Sequence, residues 1–201
     1  MEKKRIGIAG YMGAGKSTVA HLLASKDCFL INADAEAKRV MNGDQFIRDK
    51  IKESFGEDCV VDDCISSDIL GKYAFESLDN LKKLNEIVHP SLLEDLQRQI
   101  ENYQGTCCIL DAALIPLWPG TPELDICIWV EASFETRLQR VLKKDLPIKK
   151  ELIEHRMHLQ QQLFEPPRGS LWLTVINEAG VEFLQKTVEE LRIQLQIREA
   201  L

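Results

Sequence analysis

The chain has 201 residues, 45% of them hydrophobic and 28% charged, with a formal net charge of -7. That length supports one compact domain with a sizeable core. The negative balance argues against general nucleic-acid binding, which needs a basic surplus to neutralise phosphates. No apolar run approaches the roughly 18 residues that a membrane span requires. The charged N-terminus leads straight into an apolar run and leaves no room for a signal peptide, so a cytoplasmic protein without membrane contact is expected.

Apolar runs and helical patterns alternate along the chain. A strand is predicted over 5–9, then a helix from Lys16 to about Ser25 and a second strand over 28–32, ending at Ala33-Asp34. Residues 35–104 carry no convincing strand and read as helices over 35–41, 44–54, 67–74 and 77–104, the last in one or two pieces. Gly43, Gly56 and His89-Pro90 punctuate that stretch. Strands follow over 106–111 and 124–130, then a helix over 134–144, a last strand over 171–177 and a closing helix from Val181 to about Gln196. The strands are continuous apolar runs, which favours a parallel sheet covered on both faces. The expectation is an α/β fold of three layers around a roughly five-stranded parallel sheet, with ligands at the carboxyl ends of the strands. The six cysteines form no C-x-x-C pair and read as small, mostly buried residues.

Residues Gly10-Tyr11-Met12-Gly13-Ala14-Gly15-Lys16-Ser17-Thr18 fit G-x-x-x-x-G-K-[ST], between a predicted strand and a predicted helix. In that context the pattern is a phosphate-cradling P-loop. Its glycines let the backbone approach a polyphosphate, and the helix N-terminus adds partial positive charge. Gly13, Ala14, Gly15, Lys16, Ser17 and Thr18 are the expected ATP-binding residues, with Lys16 reaching the phosphates and the Ser17 hydroxyl on Mg²⁺. Asp34, at the end of the next strand, is suited to meet the γ-phosphate from the acceptor side; its simpler role is to cap the following helix. No N-K-x-D guanine-reading sequence occurs, and one P-loop with a helical insertion in a chain this short has the proportions of a small phosphotransferase.

The order of features resembles the dephospho-coenzyme A kinase family, which phosphorylates the ribose 3′-hydroxyl of dephospho-CoA with ATP. The resemblance is carried by Gly10 to Thr18, by Asn32-Ala33-Asp34 against the family's D-A-D, and by Phe55-Gly56. Leu84-Asn85-Glu86-Ile87-Val88-His89-Pro90, Asp111-Ala112-Ala113-Leu114-Ile115 and Arg137-Leu138-Gln139-Arg140 continue it, followed by Lys143-Lys144-Asp145. Arg156-Met157-His158-Leu159-Gln160 looks like the family's R-[IM]-x-x-Q lid signature, and Val175-Ile176-Asn177-Glu178-Ala179-Gly180 like its V-I-D-N-x-G. The resemblance implies a P-loop kinase domain over 1–201, with a helical acceptor-binding insertion about 35–104 and a lid about 140–170. It implies Asp34 as general base; His89 and Asp111 with it at the acceptor; Arg140 and Arg156 on the phosphates; and Mg²⁺ with ATP. A monomer is the default expectation. Departures from the family pattern include Lys38 and Leu93 at positions of arginine, Leu117 for glutamate and Asn177-Glu178 for Asp-Asn. They leave two further readings open: a kinase for another small acceptor such as a nucleoside or nucleotide, and a nucleotide-binding protein with weak or no catalysis.

Overall fold

A computed structural model describes residues 3–118, 120–144 and 148–195. The chain runs β1 (Lys4–Ala9), α1 (Lys16–Leu23), β2 (Cys28–Asn32), α2 (Ala33–Gly43), α3 (Gln45–Phe55), β3 (Val60–Val61), β4 (Cys64–Ile65), α4 (Ser67–Ala74), α5 (Leu78–Asn102), β5 (Cys107–Asp111), β6 (Ile126–Glu131), α6 (Phe134–Leu142), α7 (Lys150–Leu163), β7 (Trp172–Ile176) and α8 (Val181–Gln194). Five strands form one sheet in the order β2-β5-β1-β6-β7, and all four pairings are parallel.

The apolar strands alternate between two cores. Ile6, Ile8, Ile109, Ile128 and Val130 are buried with α1 and α8 on one side. Cys108, Leu110, Cys127 and Trp129 are buried with α2, α3 and α5 on the other. Both faces are covered, which is why the runs carry no polar alternation. Register then builds the site. Ile8 and Asn32 each stand beside Asp111, so the carboxyl ends of β1, β2 and β5 lie side by side.

Three local features differ from expectation. Residues 60–65 form a small antiparallel hairpin within a stretch that reads as helical. Its turn residues Asp62 and Asp63 both have positive φ, at 50° and 58°. Aspartate tolerates that region, but Asp-Asp is a weak turn signal beside Asn-Gly, and two-residue strands leave no periodicity. A 14-residue helix, α7, fills nearly half of the expected lid, where no helix is evident in the apolar pattern. Lys149 caps it without a side-chain hydrogen bond, so it lacks the usual start signal. Residues 145–147 of that lid, Asp145 included, lie outside the described residues, as does the expected helix end at Gln196. Of the one or two pieces expected over 77–104, the structure has one, α5, which continues through Pro90.

The third difference concerns the end of β2. Asn32, not Asp34, caps α2: its side-chain oxygen accepts from the Ala35 N–H at 2.9 Å. Asp34 sits exposed in the first helical turn, with its carboxylate uncommitted to the cap. Asparagine and aspartate cap equally well, so Asn32 preserves the geometry of a D-A-D strand end. Replacing Asn32 with Ala is expected to destabilise the fold by about 1 kcal/mol, while Asn32→Asp leaves stability near its starting value. Urea midpoints of the two variants check this.

Candidate active site

The P-loop is a tightly packed backbone arc. Gly13 and Gly15 have φ of 81° and 97°, and a Cβ at either would collide with a neighbour. At Gly13 it would meet the Arg137 carbonyl at 2.5 Å; at Gly15 it would meet the Asn177 amide at 2.4 Å. The loop is held from outside as well. Asn177 donates to the Ala14 carbonyl at 2.8 Å, and the Arg140 guanidinium lies 3.5 Å from that carbonyl and 3.3 Å from the Asn177 amide oxygen. Arg137, only 2% exposed, donates to the carbonyls of Ala132 and Met12 and lies 5.0 Å from the Tyr11 ring centre. Burial pulls the Arg137 guanidinium below the usual arginine range. The Met12 N–H donates to the Gln160 side chain of α7 at 2.6 Å, and the Tyr11 hydroxyl to the Phe164 carbonyl at 2.7 Å.

Helix α1 begins from this arc without protein caps. Gly15 offers no side-chain acceptor, and the first turn holds no acidic residue. Its N–H groups and the helix dipole therefore favour an anion. Lys16 stands in the same turn. Burial pulls its ammonium below the usual lysine range, while the carboxylates of Asp111 and Asp34 oppose that and Lys144 reinforces it. Ser17 donates from its hydroxyl to Asp111 at 2.5 Å. Three strand ends and one helix start thus place Lys16, Ser17, Asp34 and Asp111 together; Thr18 is exposed one residue further along α1. Ser17 and Asp111 supply hard oxygen donors of the kind that suit a small divalent cation.

Asp34 also lines a cavity of about 120 Å³ with His89, Val88, Leu92, Ala112 and Trp118. His89 packs edge-on against Trp118, with ring centres 5.7 Å apart, and burial lowers its pKa to about 4. Arg156 makes its contacts elsewhere: its guanidinium lies 4.8 Å from the Phe75 ring centre, near Gly71. One turn on, Gln160 is the α7 residue that reaches the P-loop. Glu178 accepts from the Ser133 N–H and hydroxyl and from the Thr136 hydroxyl, tying the loop after β7 to the start of α6. Among the described residues no cluster of three or more His, Cys, Asp or Glu could hold a metal, and no helix is long and apolar enough to cross a membrane.

A family model for dephospho-CoA kinase matches residues 4–179. The chain belongs to the dephospho-CoA kinase family. A dephospho-CoA kinase from Oceanobacillus iheyensis is 30% identical over 194 residues, covering 94% of this chain and 93% of that protein. A solved structure from Thermus thermophilus superposes with a TM-score of 0.69 at 24% identity, covering 97% of this chain and 99% of that one. A dephospho-CoA kinase structure from Campylobacter jejuni does so with 0.58 at 20%, covering 96% and 97%. At these identities the two structures speak to the fold, a kinase fold built on a P-loop. Membership of that family makes the chain a kinase, a phosphotransferase that uses ATP.

Arg137, Asn177 and Gln160 are the residues that sequence reasoning undervalued. Arg137 and Gln160 stand in recognisable motifs, but nothing in those motifs says that one is buried under the loop and the other bonded to its backbone. Asn177 could have been found from its place at a strand end beside the loop.

His89 also sets an acid limit on stability. Its folded pKa lies below the unfolded value near 6.5, so the unfolded chain binds the extra proton first and stability falls as pH drops from 6.5 toward 4. The loss is no more than about 3 kcal/mol, since the ring is partly exposed. His89→Gln should flatten this part of the pH profile in urea titrations.

Proposed function

We propose that this chain transfers the γ-phosphoryl group of ATP to the ribose 3′-hydroxyl of dephospho-CoA, giving CoA and ADP, the last step of coenzyme A biosynthesis. The observation that carries the reading is the convergence of Lys16, Ser17, Asp111 and Asp34 at one end of the sheet, with Asp34 shared between the P-loop and the cavity beside His89. A nucleotide on one side and an acceptor on the other would then meet at Asp34.

The backbone N–H groups of Gly13, Ala14, Gly15, Lys16, Ser17 and Thr18 cradle the phosphates, and the Lys16 ammonium neutralises charge on them. Ser17, with Asp111 behind it, would hold Mg²⁺, which when bound supplies charge neutralisation on the phosphates. Asp34 orients the 3′-hydroxyl in line with the γ-phosphorus and accepts its proton late, as suits a loose transition state dominated by positioning. Arg140, already beside the Ala14 carbonyl, is the candidate for bidentate contact with phosphate oxygens. Arg156 would join it only by movement of α7 away from Phe75. His89 lines the acceptor side. In this reading the helices between β2 and β5 form the acceptor-binding part, and the segment about 140–170 the lid. A single chain supplies every group, which supports a monomer; the net charge of -7 and the absence of a spanning helix among the described residues support a cytoplasmic enzyme without nucleic-acid partners.

Lys16→Ala and Asp34→Asn are each expected to lower kcat by more than about tenfold, or roughly 1.4 kcal/mol of barrier. ADP release coupled to NADH oxidation, with dephospho-CoA compared against AMP, adenosine and water, measures this. Stimulation by dephospho-CoA far above the slow turnover with AMP or adenosine, and above water, is the expected result. An Asp34→Asn enzyme with full kcat would remove Asp34 as the base, and ATP binding without stimulation by any acceptor would remove the kinase reading.

A further inference from the structure

The cavity beside Asp34 does not end at His89. A second, larger cavity of about 610 Å³ adjoins it, and the two share Asn85, His89 and Trp118 as common wall. The larger one is lined by Leu93, Leu117, Leu163 and Pro90, with Lys82 and Glu86 as its charged groups. These two are exposed, of opposite sign and on the same helix, α5, so they leave no net charge for an ionic ligand. Leu93, Leu117 and Leu163 are half-buried and pack on the main core, which fixes them as a firm wall.

The polar groups in that wall are neutral. Trp118 is 7% exposed, and its indole N–H is buried without a hydrogen-bond partner. A buried donor left unpaired costs free energy that a ligand acceptor would recover. His89, beside it, stays uncharged near neutral pH because burial disfavours the imidazolium. The surface therefore offers apolar area and a neutral imidazole, over a wall in which the indole N–H of Trp118 is left without a partner. A phosphate or carboxylate placed there would lose hydration without gaining a cation. A chain of methylenes interrupted by neutral amides would match both parts of the wall.

Dephospho-CoA has such a part. Its adenosine carries the 3′-hydroxyl, and beyond a 5′-diphosphate runs the pantetheine arm, with two amides and a terminal thiol. We infer that the groove formed by Leu93, Leu117, Trp118 and Leu163 receives the pantetheine arm, and that Leu93 and Leu117 determine the preference for an arm-bearing acceptor over an adenine nucleotide without one. The inference rests on the dephospho-CoA reading of Asp34 and gives a purpose to the two leucines that stand where the family pattern has charged residues.

The test is steady-state kinetics of wild type, Leu93→Asp, Leu117→Asp and the conservative Leu117→Met, with dephospho-CoA and with AMP as the arm-less acceptor. The 3′-phosphorylated products are separated by chromatography. Both aspartate variants should raise KM for dephospho-CoA at least tenfold, leave kcat within about twofold, and leave kcat/KM for AMP unchanged; Leu117→Met should behave as wild type. Equal losses for both acceptors would mean a structural role and would overturn the inference. Unchanged KM for dephospho-CoA would overturn it too, and would point instead to a protein partner or a second copy of the chain as occupant of the groove. A wild type with equal kcat/KM for AMP and dephospho-CoA defeats the inference while the kinase reading stands; one that phosphorylates neither defeats both.

Discussion

The site depends on one steric constraint: the backbone from Gly10 to Gly15 has no room for side chains where it turns. Gly13 lies against the backbone of Arg137, and Gly15 against the amide of Asn177, each at a distance that a Cβ would violate. Because the loop is pressed into α6 on one side and the end of β7 on the other, α1 must start at Lys16 and point its uncapped N–H groups at the open end of the sheet. The position of Lys16, the Ser17–Asp111 hydrogen bond and the proximity of Asp34 all follow from where that helix begins. Arg137 shows how firmly the arc is held, since a nearly fully buried guanidinium is costly unless its donors and its π-facing surface are used. Here they are used, on Ala132, Met12, Tyr11 and Phe134.

Much of this was legible in the sequence because it is written in short-range terms. Ile6, Ile8, Ile109 and Ile128 belong to unbroken apolar runs, and a strand buried on both faces has no other simple signature. The P-loop is a local pattern whose geometry is imposed by glycine, so its strand and helix partners could be read directly from the flanking residues. Asp34 and Asp111 stood out as carboxylates at strand ends. What could not be read were long-range contacts made by residues of ordinary polarity. Nothing near Gln160 says that it bonds to a peptide 148 positions earlier, and the burial of Arg137 contradicts its side-chain type. The hairpin at Val60 to Ile65 is too short for periodicity, and α7 begins at Lys149 without a capping side chain. Asn32 is the opposite case: its chemistry was visible, but the cap was assigned two residues too late.

The departures from the family pattern sort themselves by location. Asn32 and Glu178 take up structural work, one capping α2 and the other tying α6 to the end of β7. Arg39, adjacent to Lys38, is held by Glu36 and Asp95 and so is committed within the helical layer rather than to the acceptor side. Leu93 and Leu117, by contrast, sit together on one groove that adjoins Asp34's cavity. The substitutions near the P-loop thus preserve geometry, and those beside Asp34's cavity change the character of a surface. A chain can keep its phosphoryl-transfer machinery while altering how it grips the remote part of its substrate, because binding energy far from the reacting atoms is separable from the chemistry it supports.

The central claim is that the acceptor's 3′-hydroxyl is delivered to Asp34 across from the P-loop. Phosphorus NMR of the product formed from ATP and dephospho-CoA tests it most directly, because it reads the position of the new phosphate. The account predicts a single new phosphomonoester on the ribose 3′-oxygen, with ADP formed in equal amount. A phosphate at any other oxygen, or ADP accumulating as inorganic phosphate is released with the acceptor unchanged, would contradict it.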